Sequence, residues 1–173
     1  MTRVVLSVGS NLGDRLARLQ SVVDALESSV VAVSPVYETV PWGGVEQGPF
    51  LNAVVIADDP ALNPLDWLQR GQLLEQAADR VRGEKWGPRS LDVDLISCSA
   101  DGTELVVRER DLTLPHPFAH LRAFVLAPWL AVDPNAELTV AGVATPVRQL
   151  LGDIEPVEKA GVMPTGMTLV RRA

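Results

Sequence analysis

Hydrophobic spacing changes period several times along this chain, and the order of those changes restricts the fold more than any other feature. Residues 4–8 (VVLSV) form a short valine-rich run with the length of a buried strand. Leu16, Leu19, Val23 and Leu26 then recur at steps of three and four, the stripe of an amphipathic helix that Asp14 can cap. Residues 30–40 are β-rich, and Pro35 among them predicts an edge position or a strand start. Residues 51–57 read as another strand. Asn63-Pro64 opens a second helix with Leu65, Leu68, Ala77, Ala78 and Val81 on its apolar face. Residues 91–97 are a further strand. Strand, helix, strand, strand, helix, strand is the order of a ferredoxin-like α+β (βαββαβ) core, a mixed or antiparallel sheet with helices packed on it.

The rest of the chain adds a hairpin and C-terminal helices. Asp101-Gly102 predicts a tight turn that joins the strand at 91–97 to residues 104–107. A third helical region is expected at 118–130, with Pro128 as a kink or break, and a short fourth helix at 147–151. Beyond Gly152 only an alternating patch at 167–170 stands out. Residues 41–49 and the region from Gly83 to the Gly87-Pro88 pair read as loops. Across 173 residues there is no repeat and no long linker, so one domain spanning 1–173 is expected.

Composition excludes several functions. The formal net charge of −7 disfavours non-specific nucleic-acid binding, though a small anionic ligand depends on local charge. A single cysteine, Cys98, permits no intrachain disulfide and no multi-cysteine zinc site. His116 and His120 are the only histidines and lack zinc-ligand spacing. No apolar stretch approaches membrane-spanning length, and the N-terminal run is too short for a signal peptide. The expectation is a soluble, cytoplasmic monomer that engages neither nucleic acid nor membrane.

The densest chemistry lies between Arg80 and Asp94. Arg80, Arg82, Lys85 and Arg89 fall within ten residues, and Asp92 and Asp94 follow. Residues i and i+2 of a strand share a face, so the two aspartates point the same way, with Val93 opposite. Like charges held together repel, and a divalent cation removes that cost. Mg²⁺ takes one or two carboxylates plus substrate phosphates and waters, so Asp-x-Asp beside a cationic loop predicts Mg–nucleotide binding. The plainer alternative is a solvated strand face with Arg80 and Arg82 at a helix end. Arg89 can pair with Asp92 or grip phosphate. Trp42 and Trp86 sit in Gly/Pro-rich loops, as anchors or as rings over a heterocycle. Asn52, inside an apolar strand, needs partners if buried, either the donor/acceptor edge of a ligand or a cross-strand bond. Residues 9–13 are neither a phosphate-binding P-loop nor a dinucleotide fingerprint, and read as a tight turn before the first helix.

The run Lys85-Trp86-Gly87-Pro88-Arg89-Ser90-Leu91-Asp92-Val93-Asp94-Leu95-Ile96 resembles the signature of the hydroxymethyldihydropterin pyrophosphokinases. Gly9-Ser10-Asn11-Leu12-Gly13, Phe50-Leu51-Asn52-Ala53, Leu114-Pro115-His116-Pro117 and Arg122-Ala123-Phe124-Val125-Leu126 resemble other family segments in the same order. The resemblance implies a ferredoxin-like enzyme that moves pyrophosphate from ATP to the hydroxymethyl group of 6-hydroxymethyl-7,8-dihydropterin, with AMP leaving, in folate biosynthesis. It implies that Asp92 and Asp94 hold two Mg²⁺ ions and that Arg82 and Arg89 act on the polyphosphate as catalytic residues. Gln72, Glu75, Arg80, Lys85, Trp86, Leu95, His116 and Arg122 would lie on the ATP side. Thr39, Val40, Trp42, Phe50, Asn52 and Phe124 would line the pterin side, with Phe50 and Phe124 stacking on the ring. Two rival readings stand beside it: a metal-dependent phosphohydrolase that uses the same Asp pair, and a non-catalytic ligand-sensing module, which would not require two carboxylates beside a cationic loop.

Overall fold

The computed structural model describes residues 2–41, 48–78 and 90–171. In chain order it contains β1 (Thr2–Ser10), α1 (Arg15–Leu26), β2 (Val30–Val33), β3 (Pro35–Thr39), β4 (Phe50–Asp59), α2 (Pro64–Ala78) and β5 (Asp92–Ala100). There follow β6 (Thr103–Glu104), β7 (Val107–Arg108), β8 (Thr113–Leu114), α3 (Ala123–Val132), β9 (Glu137–Val140), β10 (Val143–Pro146), α4 (Val147–Asp153), α5 (Pro156–Ala160) and β11 (Val162–Thr168). The main sheet runs β11-β3-β4-β1-β5-β6, with β2 also on β4, and every pairing in it is antiparallel. Its β3-β4-β1-β5 centre has the expected ferredoxin-like order.

Helix starts follow the local chemistry. The Asp14 carboxylate accepts the Ala17 N–H at 3.1 Å and caps α1, an interaction of about 1 kcal/mol. Asn63 and Asp66 cap α2 reciprocally, each side chain accepting the other's backbone N–H at 2.9 Å. Gly71 lets α2 press onto β5, because a Cβ there would lie 3.2 Å from Val93 Cγ1. Pro35 is the first residue of β3, where its missing N–H is tolerated.

Alternation along the strands builds two cores. Val4, Leu6 and Val8 of β1, Leu51, Ala53 and Val55 of β4, and Val93 and Leu95 of β5 pack under α1 and α2. Val5, Val54, Ile56 and Ile96 face the other way, against Val125, Leu126 and Trp129 of α3 and Val147 and Leu150 of α4. At ~1.5–3 kcal/mol per fully buried aliphatic side chain, this burial outweighs any single cap or ion pair.

Four readings need correction. β1 continues through Gly9 and Ser10, so the turn begins only at Asn11. The expected strand at 104–107 splits: β6 pairs with β5, then β7 pairs with β8 as a second hairpin. The third helical region starts with a 3₁₀ turn at Ala119–Leu121, and α3 then runs through Pro128 without ending. The chain beyond Gly152 is ordered structure. β11 pairs with β3 through Val162 opposite Thr39 and Pro164 opposite Tyr37, with a register shift before Thr168. Leu169 is buried in the first core, and the Arg171 guanidinium donates to the carbonyls of Val30 and Val31. Among the described residues no helix is long and apolar enough to cross a membrane.

Candidate active site

The second face of the sheet changes character at one end, on three strands at once. Along β1 that face reads Val5, Ser7, Gly9. Along β4 it reads Ile56, Val54, Asn52, Phe50, and along β5 Ile96, Asp94, Asp92. The strands are antiparallel, and Gly9 lies opposite both Asn52 and Asp92, while Ser7 lies opposite Val54 and Asp94. Apolar residues thus give way to polar ones at one end of all three strands, one step later on β4, which ends on Phe50. A polar shelf results.

Gly9 occupies the middle of the shelf. A Cβ on it would fall 2.6 Å from Asn52 Nδ2 and 3.6 Å from Phe50 Cδ1. The absent side chain therefore leaves the Asn52 carboxamide lying over β1. With neighbouring strands ~4.8 Å apart, the Asn52 and Asp92 backbones stand about 10 Å apart across Gly9. Thr39 donates its hydroxyl to Asn52 Oδ1 at 2.7 Å, from β3 on the other side of β4.

Asp92 and Asp94 are half-buried on the shelf, and Val93 between them is buried in the opposite core. The start of β5 is held by α2, because the Val93 N–H donates to Glu75 Oε2 at 3.0 Å. Gln72, one turn earlier, is exposed. Leu95 is only 5 % exposed and packs in the core on the face away from Asp94, so its side chain does not reach the shelf.

His116 and Arg122 close the opposite flank. The His116 N–H donates to Ile96 O at 2.9 Å, which fixes the loop to β5, and its Nδ1 accepts the Phe118 N–H at 3.1 Å. Burial lowers the His116 pKa below the ordinary 6.5; Asp94 opposes that shift and Arg122 adds to it. A neutral ring with Nδ1 accepting carries its proton on Nε2, a donor without a charge to desolvate. The Arg122 guanidinium lies 5.7 Å from the Phe118 ring centre and 5.6 Å from that of Phe124.

Residues 5–134 match the sequence model of the family described as 7,8-dihydro-6-hydroxymethylpterin-pyrophosphokinase (HPPK). The chain belongs to the HPPK family. Proteins named 2-amino-4-hydroxy-6-hydroxymethyldihydropteridine pyrophosphokinase are similar over most of its length. The Mycobacterium tuberculosis protein is 64 % identical over 167 residues, covering 94 % of this chain and 89 % of that protein. The Mycobacterium leprae protein is 64 % identical over 175 residues, with coverage of 98 % and 92 %. That from Methylorubrum extorquens is 40 % identical over 160 residues, with coverage of 90 % and 96 %. The fold is similar to a crystal structure of HPPK-DHPS in complex with substrates, at TM-score 0.65 and 12 % identity over 87 % of this chain. It is also similar to wild-type Plasmodium falciparum HPPK-DHPS with pteroate, at TM-score 0.60 and 13 % identity over 88 % of this chain. This chain spans 44 % and 42 % of those two longer chains.

Of the residues that the HPPK resemblance singles out, the fold places Asp92, Asp94, Asn52, Phe50 and Thr39 on one sheet face. Phe124 lies in the first turn of α3, two residues after Arg122, and Val40 follows β3. Trp42, Arg80, Arg82, Lys85, Trp86 and Arg89 lie outside the described residues. Sequence reading missed Gly9 as the gap in the shelf; the cross-strand bond it allowed for Asn52 is present, with Thr39 as the partner it did not name. A glycine two residues after Ser7, in phase with the strand alternation, was the available signal for the gap.

Proposed function

We propose that this chain transfers pyrophosphate from ATP to the hydroxymethyl oxygen of 6-hydroxymethyl-7,8-dihydropterin, releasing AMP, as a step of folate biosynthesis. The observation that carries the reading is the shelf. A carboxylate pair and a buried, oriented carboxamide share one sheet face on either side of Gly9, in a chain of the HPPK family.

The donor chemistry at the carboxylate end suits magnesium. Asp92 and Asp94 offer hard oxygens on one partly exposed face, and among the described residues no three His, Cys, Asp or Glu side chains converge as a cage. Two carboxylates completed by substrate phosphates are what Mg²⁺ accepts. Asp92 and Asp94 would hold two ions, whose contribution is to neutralise charge on the phosphate oxygens.

The chain's own groups supply positioning. Asn52, pinned by Thr39, presents its Nδ2 donor to the pterin edge, and Phe124 and Phe50 offer flat apolar faces to the ring. His116 donates through Nε2–H, and Arg122 through its guanidinium, to phosphate oxygens. Arg82, Arg89, Arg80, Lys85 and Trp86 serve the polyphosphate in the same reading, as do Gln72 and the main chain of Leu95. In the transfer, the bond from the pterin oxygen to Pβ forms, the bond from Pβ to the AMP oxygen breaks, and the hydroxyl proton leaves to solvent. No dedicated base is required, because alignment and electrostatics lower the barrier. The chain works as a monomer in the cytoplasm.

One incubation tests this: ATP, Mg²⁺ and the pterin alcohol, with nucleotide products resolved. AMP formed only when pterin is present is the expected result. Nucleotide hydrolysis without pterin would replace the reading with a phosphohydrolase, and absence of turnover with a ligand sensor.

A further inference from the structure

The C-terminal segment reaches the pterin side of the shelf. The Val40 N–H donates to Gly161 O at 3.0 Å, and Val162 sits opposite Thr39 in the β11–β3 ladder. These contacts link the corner between α5 and β11 through Val40 and Thr39 to the Asn52 carboxamide. The corner lies beyond residue 134, where the family match ends.

Between this corner and the pterin side is an open cavity of about 410 Å³. Thr39, Val40 and Phe124 line one side; Val157, Gly161 and Val162 line the other. The volume is within the range of small-ligand sites, at roughly 300–1,000 Å³. Its apolar side chains are unusually free: Val40 is 64 % exposed and Val157 78 %. Glu158 also lines the cavity.

We propose that this corner is a specificity-determining wall of the pterin side, with Val157 limiting which uncharged, apolar substituents the heterocycle can carry. The proposal rests on the pterin-transfer reading above. Three residues assigned to the ring, Thr39, Val40 and Phe124, share the cavity with Val157, so a substituent that extends from the ring past Val40 and Phe124 meets Val157. Gly161 has no room to trade for bulk, since a Cβ there would lie 3.3 Å from Glu158 O and 3.5 Å from Val40 Cγ2. Val157, being exposed, can change size without disturbing a core.

The test measures binding of 6-hydroxymethylpterin and of a ring-alkylated analogue to the full chain, by fluorescence, with a non-hydrolysable ATP analogue as control. Val157→Trp fills the cavity and should weaken the alkylated analogue about tenfold more than the parent pterin. Val157→Ala should shift that ratio the other way. ATP-analogue affinity and Tm should stay unchanged in both. Val143→Trp, at an exposed position of β10, should change nothing. An unchanged ratio in both Val157 variants overturns the proposal, as does an equal loss of nucleotide and pterin affinity. If the unmodified chain binds no pterin, the functional reading itself fails, and that result is distinct from an unmoved ratio.

Discussion

The Thr39 hydroxyl donates to Asn52 Oδ1 at 2.7 Å, and both side chains are buried, at 3 % and 4 % exposure. The bond fixes which end of the carboxamide points onto the shelf. Thr39→Val keeps the shape but leaves Oδ1 buried without that donor, at a cost of about 1–3 kcal/mol. Thermal unfolding should register the loss. The KM for pterin should rise well above that of the parent while the KM for ATP holds, and Thr39→Ser should recover most of both.

Gly9→Ala tests the gap in the shelf. Its Cβ would meet Asn52 Nδ2 at 2.6 Å, so the carboxamide must swing or β1 must shift. Overpacking of this kind costs about 1–3 kcal/mol. Pterin affinity, read by fluorescence titration, should fall at least about tenfold, with a smaller effect on nucleotide binding. Unchanged affinity would mean that Asn52 does not face the ligand.

Asp94→Asn separates chemistry from folding. Asp94 is half-buried beside Asp92 on one strand face, so removing one charge relieves repulsion. Metal-free Tm should hold or rise slightly. AMP formation should drop by about a hundredfold or more. Near-normal turnover would remove the two-carboxylate metal assignment.

Burial pushes the Cys98 thiol up to about 11 from an ordinary 9.0. The fold thus favours the neutral form. Its contribution is complete below pH 9.0 and is lost as pH rises through about 11, because the unfolded chain releases the proton first. Denaturant melts across that window should show the parent losing stability more steeply than Cys98→Ala. At about pH 8, alkylation of the native protein should be slow and should become fast on unfolding.

Asp92, Val93 and Asp94 were legible because a strand's period of two needs no tertiary knowledge. Asp14 and Asn63 were legible as caps for the same local reason. The β5–β6 hairpin was legible through Asp101-Gly102, but the β7–β8 hairpin was not, since β7 and β8 are two-residue strands too short to show a period. Gly9 read as a turn because local glycine rules are blind to Asn52, which reaches it only through strand pairing. Of β11 only the end showed, in the alternating patch at 167–170, because its partner β3 lies far earlier in the chain, and Pro164 and Gly166 obscure its alternation. The fold class survived these misses because it rests on the order of long elements, whereas the Asn52 end of the shelf depends on contacts between remote ones.

β11 is the outermost strand on its side of the main sheet. Pro164 has no N–H to offer, Gly166 turns to φ +76, and the ladder slips register before Thr168. A strand broken in this way is a poor template for another chain to zip onto. The same residues that hide it from pattern reading protect the molecule from edge-to-edge aggregation.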